Sequence, residues 1–369
     1  MTGGSRLRYR CWLAALAAVA ALGILPAGAS AAKPQKNHPS IENPSPASPD
    51  FNDRVVRNPN RKLRRVIARA AFSSEGRYTT PSGARVAVFS SDAYAPDPAG
   101  DQQFANLYDS FLHGFELERA TIYIAPPPEV AELCGEGAAA CYIPPGGAGP
   151  FGNFGSDGLL ITNGNSDNIE ADAAHEYGHH IAAYRDNAPL SAFDTGAKYW
   201  ASYLGVCPSL RTGRMGFGAE NYLVDPAEGW SEAYAETTLP GVGWADIVSR
   251  ELFFPDATTS RIIRDDVLNP WSGYETKRFR GRLRRGGARK KGRKVATTLD
   301  GIVRVYLRPQ RGREFDLFLK VGGRIVKKSV TRGGDKLRYQ VCGPASVKVV
   351  VKRRRGSRGG RFRVRVLRP

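Results

Sequence analysis

The chain has 369 residues, 41% hydrophobic and 24% charged, which excludes a wholly disordered chain and leaves room for about two cored domains. The net charge of +19 misleads as an average. From Lys277 onward there are 32 basic and four acidic residues, a balance of +28, whereas residues 32–276 carry 19 basic and 31 acidic, a balance of −12. Halves of opposite sign imply two domains with different partners.

Arg6, Arg8 and Arg10 precede an apolar run from Trp12 to Leu25, and the small-residue stretch AGASAA follows. That order is the pattern of a secretory signal peptide over residues 1–31, cleaved after Ala29 or Ala31. The run is shorter than the ~20 residues needed to span a bilayer, so an exported protein is expected. Cys11 leaves with the signal. Residues 32–80 read as a flexible leader or propeptide: NHPSIENPSPASPD has no apolar period, and RKLRRVIARAAF suggests a short basic helix.

Residues 81–273 have a globular texture. ARVAVFSS, ATIYIAP and GLLIT are short apolar runs expected as strands, and DQQFANLYDSFLHGF has helical apolar spacing. YIPPGGAGPFGNFGSDG is expected as a loop. Strands mixed with helices in this order predict an α+β domain. Export permits disulfides among Cys134, Cys141, Cys207 and Cys342. The short loop CGEGAAAC favours Cys134–Cys141, which leaves Cys207–Cys342 to tie two domains together.

AAHEYGHHIAAYR, residues 173–185, is expected as a helix capped by Asp167 with Glu170 three residues on, with Arg185 in its last turn. His175 and His179 are four apart and share a face of such a helix, with Glu176 beside them. Two imidazoles that bind a metal and a carboxylate that takes a proton from water are the parts of an HExxH zinc site. Chance assembly from this composition gives roughly 0.003 such matches per chain. Gly178 costs about 1 kcal/mol relative to alanine in a helix, so a steric reason for it is expected close to the metal. His180 shares neither imidazole's direction and is read as a support behind the ligands or as structural; His113 and His38 have no partners in the sequence.

The third ligand must come from outside this helix. A histidine six residues after His179 is excluded because Arg185 stands there, with Ala182 where such sites carry glycine. A second helix starting at Pro226 offers Glu228 and Glu232 on one face, and the residues alone do not choose between them.

After Trp271 the texture changes to short alternating runs (RFRGRL, IVRVYLRP, EFDLFLKV, ASVKVVVK, RFRVRVL) separated by turn residues, which predicts an all-β sandwich over 274–369. RRGGARKKGRK and VKRRRGSRGGR give it an unusual basic load.

AHEYGHHIA followed by NYLVDPAEGWSEAYAE resembles the gluzincin type of zincin metallopeptidase, especially secreted actinobacterial proteins with HEYGHH and a later P-x-E-x-[FW]-[AS]-E-x-Y segment. The resemblance covers residues 158–237 and implies a zincin-like α+β catalytic domain. It implies one catalytic zinc ion on His175, His179 and Glu228, with Glu176 as general base. It also implies that Glu232 orients a ligand histidine and that Tyr222 stabilises the oxyanion. The chain lacks the N-E-x-x-S-D sequence of thermolysin-like members. The C-terminal segment is similar to the bacterial pre-peptidase C-terminal β-sandwich, a jelly-roll-like fold that accompanies secreted peptidases.

The expected function is a secreted zinc endopeptidase acting on protein or peptide, with GLLIT offering an edge to an extended substrate. A reading of another class is a secreted polyanion- or cell-surface-binding protein with a degenerate or structural metal site. Its basic domain would meet cell-wall polymer, anionic lipid or nucleic acid. A zinc hydrolase of some other amide bond is a third.

Overall fold

The computed structural model of the chain describes residues 53–56, 72–145, 157–164, 166–331 and 334–369. The expected signal peptide, His38 and nearly all of the expected basic helix from Arg61 lie outside the described residues. No helix among them is long and apolar enough to cross a membrane.

A six-stranded mixed sheet organises the first part of the chain. It is built from β1 (Asp53–Val55), β2 (Phe72–Thr79), β3 (Arg85–Ser91), β4 (Ala120–Ala125), β5 (Ala140–Ile143) and β6 (Gly158–Asn163), in the order β1-β5-β6-β4-β3-β2. β3, β4 and β6 run parallel, β2 and β5 are antiparallel to their inner neighbours, and β1 lies parallel to β5. β4 is buried on both faces, and β6 is buried over all but its last residue; both read as near-continuous apolar runs for that reason.

One face, with Val86, Val88, Ile122, Ile124 and Leu160, meets the main helical core. The helices on that side include α1 (Pro98–Ser110), while α2 (Pro127–Cys134) covers the other face through Val130 and Leu133. α3 (Ile169–Ala183) lies beneath β5 and β6. Then come the two-residue strands β7 (Asp186–Asn187) and β8 (Leu190–Ser191), α4 (Lys198–Tyr203), α5 (Val206–Thr212), α6 (Pro226–Thr238) and α7 (Ala257–Leu268).

Three expectations need correction. Residues 53–55 and 72–79 are not flexible leader: the first form β1, paired with β5, and the second the edge strand β2, held by β3 and by Asp101, whose carboxylate accepts the Ser74, Tyr78 and Ser90 hydroxyls. GLLIT has no free edge, because β5 and β4 occupy both sides of β6; peptide pairing on that strand is excluded. The helix bearing the histidines begins one residue later than expected, after Asn168, whose side chain does not cap the helix N–H groups. The Asp167–Glu170 capping box is replaced by Ser166, whose hydroxyl donates to Asp172 and accepts from the Asn168 N–H.

Eight antiparallel strands complete the chain: β9 (Glu275–Leu283), β10 (Lys290–Thr297), β11 (Gly301–Pro309), β12 (Phe315–Val321), β13 (Arg324–Ser329), β14 (Asp335–Val341), β15 (Ala345–Arg353) and β16 (Gly360–Arg368). They form sheets β10-β15-β12-β13 and β14-β11-β16-β9. Every connection but β12–β13 crosses between sheets, the connectivity of a jelly roll. Inward residues such as Val303, Val305, Leu317, Leu319, Val349 and Val364 form one buried cluster. Both expected disulfides are present: Cys134–Cys141 joins α2 to β5, and Cys207–Cys342 joins α5 to the sandwich. The Asp300 N–H also donates to the Ser202 hydroxyl across that junction.

Candidate metal centre

α3 and α6 build the site where they cross. α6 begins with Pro226 in its first turn and Asp225 as cap, whose carboxylate accepts the Ala227 and Gly218 N–H groups. This fixes Glu228 in the first turn, where the helix field favours an anion. Trp230 donates its indole N–H to the Gly178 carbonyl at 2.8 Å and packs edge-on against Trp200. The close approach explains Gly178: a Cβ there would stand 2.8 Å from Ser231 Cα. Its reason is helix contact, where the sequence had suggested crowding at a metal.

His175 and His179 project from one face of α3, ring centroids 5.1 Å apart, towards Glu228. His179 Nε2 lies 3.0 Å and His175 Nε2 3.4 Å from Glu228 Oε2. At such distances each nitrogen either donates a proton to the carboxylate or shares a cation with it. One donor atom from each of the three residues falls within 4.8 Å of the others, so this trio could hold a metal ion. Glu232, one turn further along α6, is fully buried and accepts the Ala245 and Ile247 N–H groups. Its Oε2 is 3.7 Å from His175 Nδ1, within ion-pair reach though beyond a hydrogen bond. Glu176 is also fully buried, beside His175 on α3.

The donor set fits a borderline-soft divalent cation: two imidazole nitrogens, one carboxylate oxygen, and a second carboxylate behind one imidazole. Among the described residues neither Glu228 nor Glu232 forms an ion pair with lysine or arginine. A buried anion calls for a compensating partner, and a cation between the imidazoles supplies one.

The other expected residues sit as follows. Tyr222 lies on a 3-10 turn, Ala219–Val224, six residues ahead of Glu228 and half-buried against the helical core. His180 is turned away from the trio: its Nε2–H donates to the Glu116 carbonyl, and its Nδ1 meets the Tyr142 hydroxyl. Burial lowers its pKa to about 4, so the ring is neutral. His113 is 3.6 Å from Asp109. Arg185, expected in the last turn of the helix, lies just past its end and is buried. It pairs with Glu116 at 2.9 Å and donates to the Asp266 and Val267 carbonyls.

Glu116 is the residue the sequence hid. Its carbonyl holds His180 and its carboxylate holds Arg185 and the Gly114 N–H, so it anchors the C-terminal end of α3. Only its distance in sequence conceals it. Phe193, 6.4 Å from the His179 ring, is a second neighbour without a local signal.

No protein-family model matches the chain, and no curated protein matches it. Among solved structures, the pre-peptidase C-terminal domain of a collagenase from Bacillus anthracis is similar over 25% of this chain and 88% of its own, at 10% identity and a TM-score of 0.22. A mitogen from Yersinia pseudotuberculosis is similar over 26% of this chain and 87% of its own, at 14% identity and a TM-score of 0.21.

Proposed function

We propose that the chain is an exported zinc endopeptidase of the gluzincin type, with His175, His179 and Glu228 as metal ligands and Glu176 as general base. The observation that carries the reading is the convergence of two imidazoles and a carboxylate from helices about fifty residues apart in sequence. When bound, zinc supplies a Lewis acid for the scissile carbonyl and lowers the pKa of water towards ~7. Glu176 takes a proton from the attacking water at its carboxylate and returns it to the leaving amine. Tyr222 donates a hydrogen bond to the carbonyl oxygen as charge develops there. Glu232, fixed by two backbone N–H groups, faces His175 Nδ1 and sets the orientation of that ring.

Zinc analysis of the full chain, with cleavage of an unbiased peptide mixture and the Glu176→Gln protein as control, tests the proposal. Zinc near one equivalent and cleavage lost in the control are expected. Zinc near zero overturns it.

A further inference from the structure

The sandwich carries its cations unevenly, and the register of one sheet makes the unevenness chemical. β9, β11, β14 and β16 hold ten arginines and two lysines; β10, β12, β13 and β15, from the same stretch of chain, hold three arginines and eight lysines. A general bias towards arginine would enrich both sheets alike.

On the arginine sheet ten of the twelve cations take the outward positions, alternating with core residues such as Val305, Phe362 and Val364, while Lys277 and Arg368, near the strand ends, pair with Glu275. Arg308, Arg363 and Arg280 lie directly opposite one another across three adjacent strands. Arg361 and Arg282 form the next rung on one side, and Arg365 and Arg278 the next on the other. Like charges directly opposite on a sheet face destabilise it. No carboxylate occupies an outward position on these four strands, and among the described residues none of the seven arginines forms an ion pair. The arginines of two rungs line a cavity of about 650 Å³ with Gln310. The fold thus maintains a repulsive array that an anion would relieve.

We propose that this face binds a linear phosphodiester polymer that carries no bases, a polyol phosphate, through its phosphates. Guanidinium forks match phosphate oxygens two at a time, where lysine offers only a point charge. Arginine positions about 4.8 Å apart within a rung, and rungs roughly 7 Å apart along the strands, form a grid suited to a repeating anion. Tyr306 lies on this face, with Arg365 4.6 Å and Lys336 5.7 Å from its ring centre. That ring is already covered by cations and offers no stacking platform for bases. Among the described residues the large exposed aliphatics of the domain, Ile325 and Val330, lie on or just past β13 in the other sheet, so the arginine face offers none to insert into a bilayer.

Binding of the full chain to poly(glycerol phosphate), measured at two salt concentrations, tests the proposal. Affinity is expected to fall steeply with salt, as for several neutralised phosphates. The Arg280→Ser/Arg308→Ser/Arg363→Ser protein is expected to lose about tenfold or more. The Lys294→Ser/Lys320→Ser/Lys348→Ser protein removes the same charge from one rung of the opposite sheet and is expected to bind like the parent. The arginine variant should also melt at or above the parent temperature, since a repulsion has been removed. Equal loss in both triple variants, or a lower melting temperature for the arginine variant, overturns the proposal. So does tighter binding of single-stranded DNA or anionic vesicles than of the polyol phosphate.

Discussion

Gly178 and Ser231 mark the contact between the two site helices: a side-chain carbon on Gly178 would lie 2.8 Å from Ser231 Cα. The obstacle is backbone, so no rotamer change relieves it. Gly178→Ala should therefore destabilise the protein by about 1–3 kcal/mol through overpacking, although helix propensity alone favours alanine by about 1 kcal/mol. A urea midpoint at or above that of the parent would show that the helices separate without cost. The same change should weaken metal binding, because Glu228 rides on the displaced helix.

Glu176 touches the reacting water in the proposed mechanism but does not hold the metal. Glu176→Gln is expected to lower kcat by a factor of about 10²–10⁴ or more with metal content unchanged. Retained hydrolysis at full metal occupancy would remove Glu176 from the chemistry.

Glu228 and Glu232 are one turn apart and are separated here by what they face: the Nε2 atoms of both histidines, or Nδ1 of one. Glu228→Ala should abolish metal retention on dialysis. Glu232→Gln should weaken it by roughly 10–100-fold, the usual cost of losing the partner that orients a ligand histidine. The reverse ranking in a chelator competition would exchange their roles.

Asp266 gives a pH dependence remote from the metal centre. Its carboxylate accepts the Tyr199 and Trp200 N–H groups at the start of α4. Burial outweighs those bonds and raises its pKa to about 7. The folded state therefore keeps this proton more tightly than the unfolded chain. The associated stability is present at pH 4 and lost as pH rises towards 7, a contribution on the order of 4 kcal/mol. In urea titrations between these pH values, Asp266→Asn should flatten the decline even if the amide lowers stability throughout. An unchanged slope would assign the pH dependence to other groups.

What the sequence revealed follows from how locally each feature is encoded. β3, β4 and β6 were legible as apolar runs because buried strands need nothing else. α6 was legible from Pro226, and the pair His175 and His179 from their spacing. β2, FSSEGRYT, was not, because its side chains are largely polar and its place depends on pairing with β3 and on Asp101. β5 has four residues and follows closely on the Cys134 turn, too short for a periodic signal. Arg185 and Glu116 are 69 residues apart; each alone reads as an ordinary surface charge. The approach of Ser231 to Gly178 was visible only as an unexplained glycine in a helix.

The Cys207–Cys342 bond spans 135 residues, including the whole stretch between α7 and the first strand of the sandwich. Under the function proposed above the chain would meet other peptidases and its own copies, and such connecting stretches are where chains are cut. A single nick between these cysteines leaves both fragments covalently joined, with the arginine face of the sandwich still attached to the candidate metal centre. Nicked protein should thus run as one band without reductant and as two with it. In an oxidising medium the bond keeps the two parts of the molecule together after the peptide chain itself has been broken.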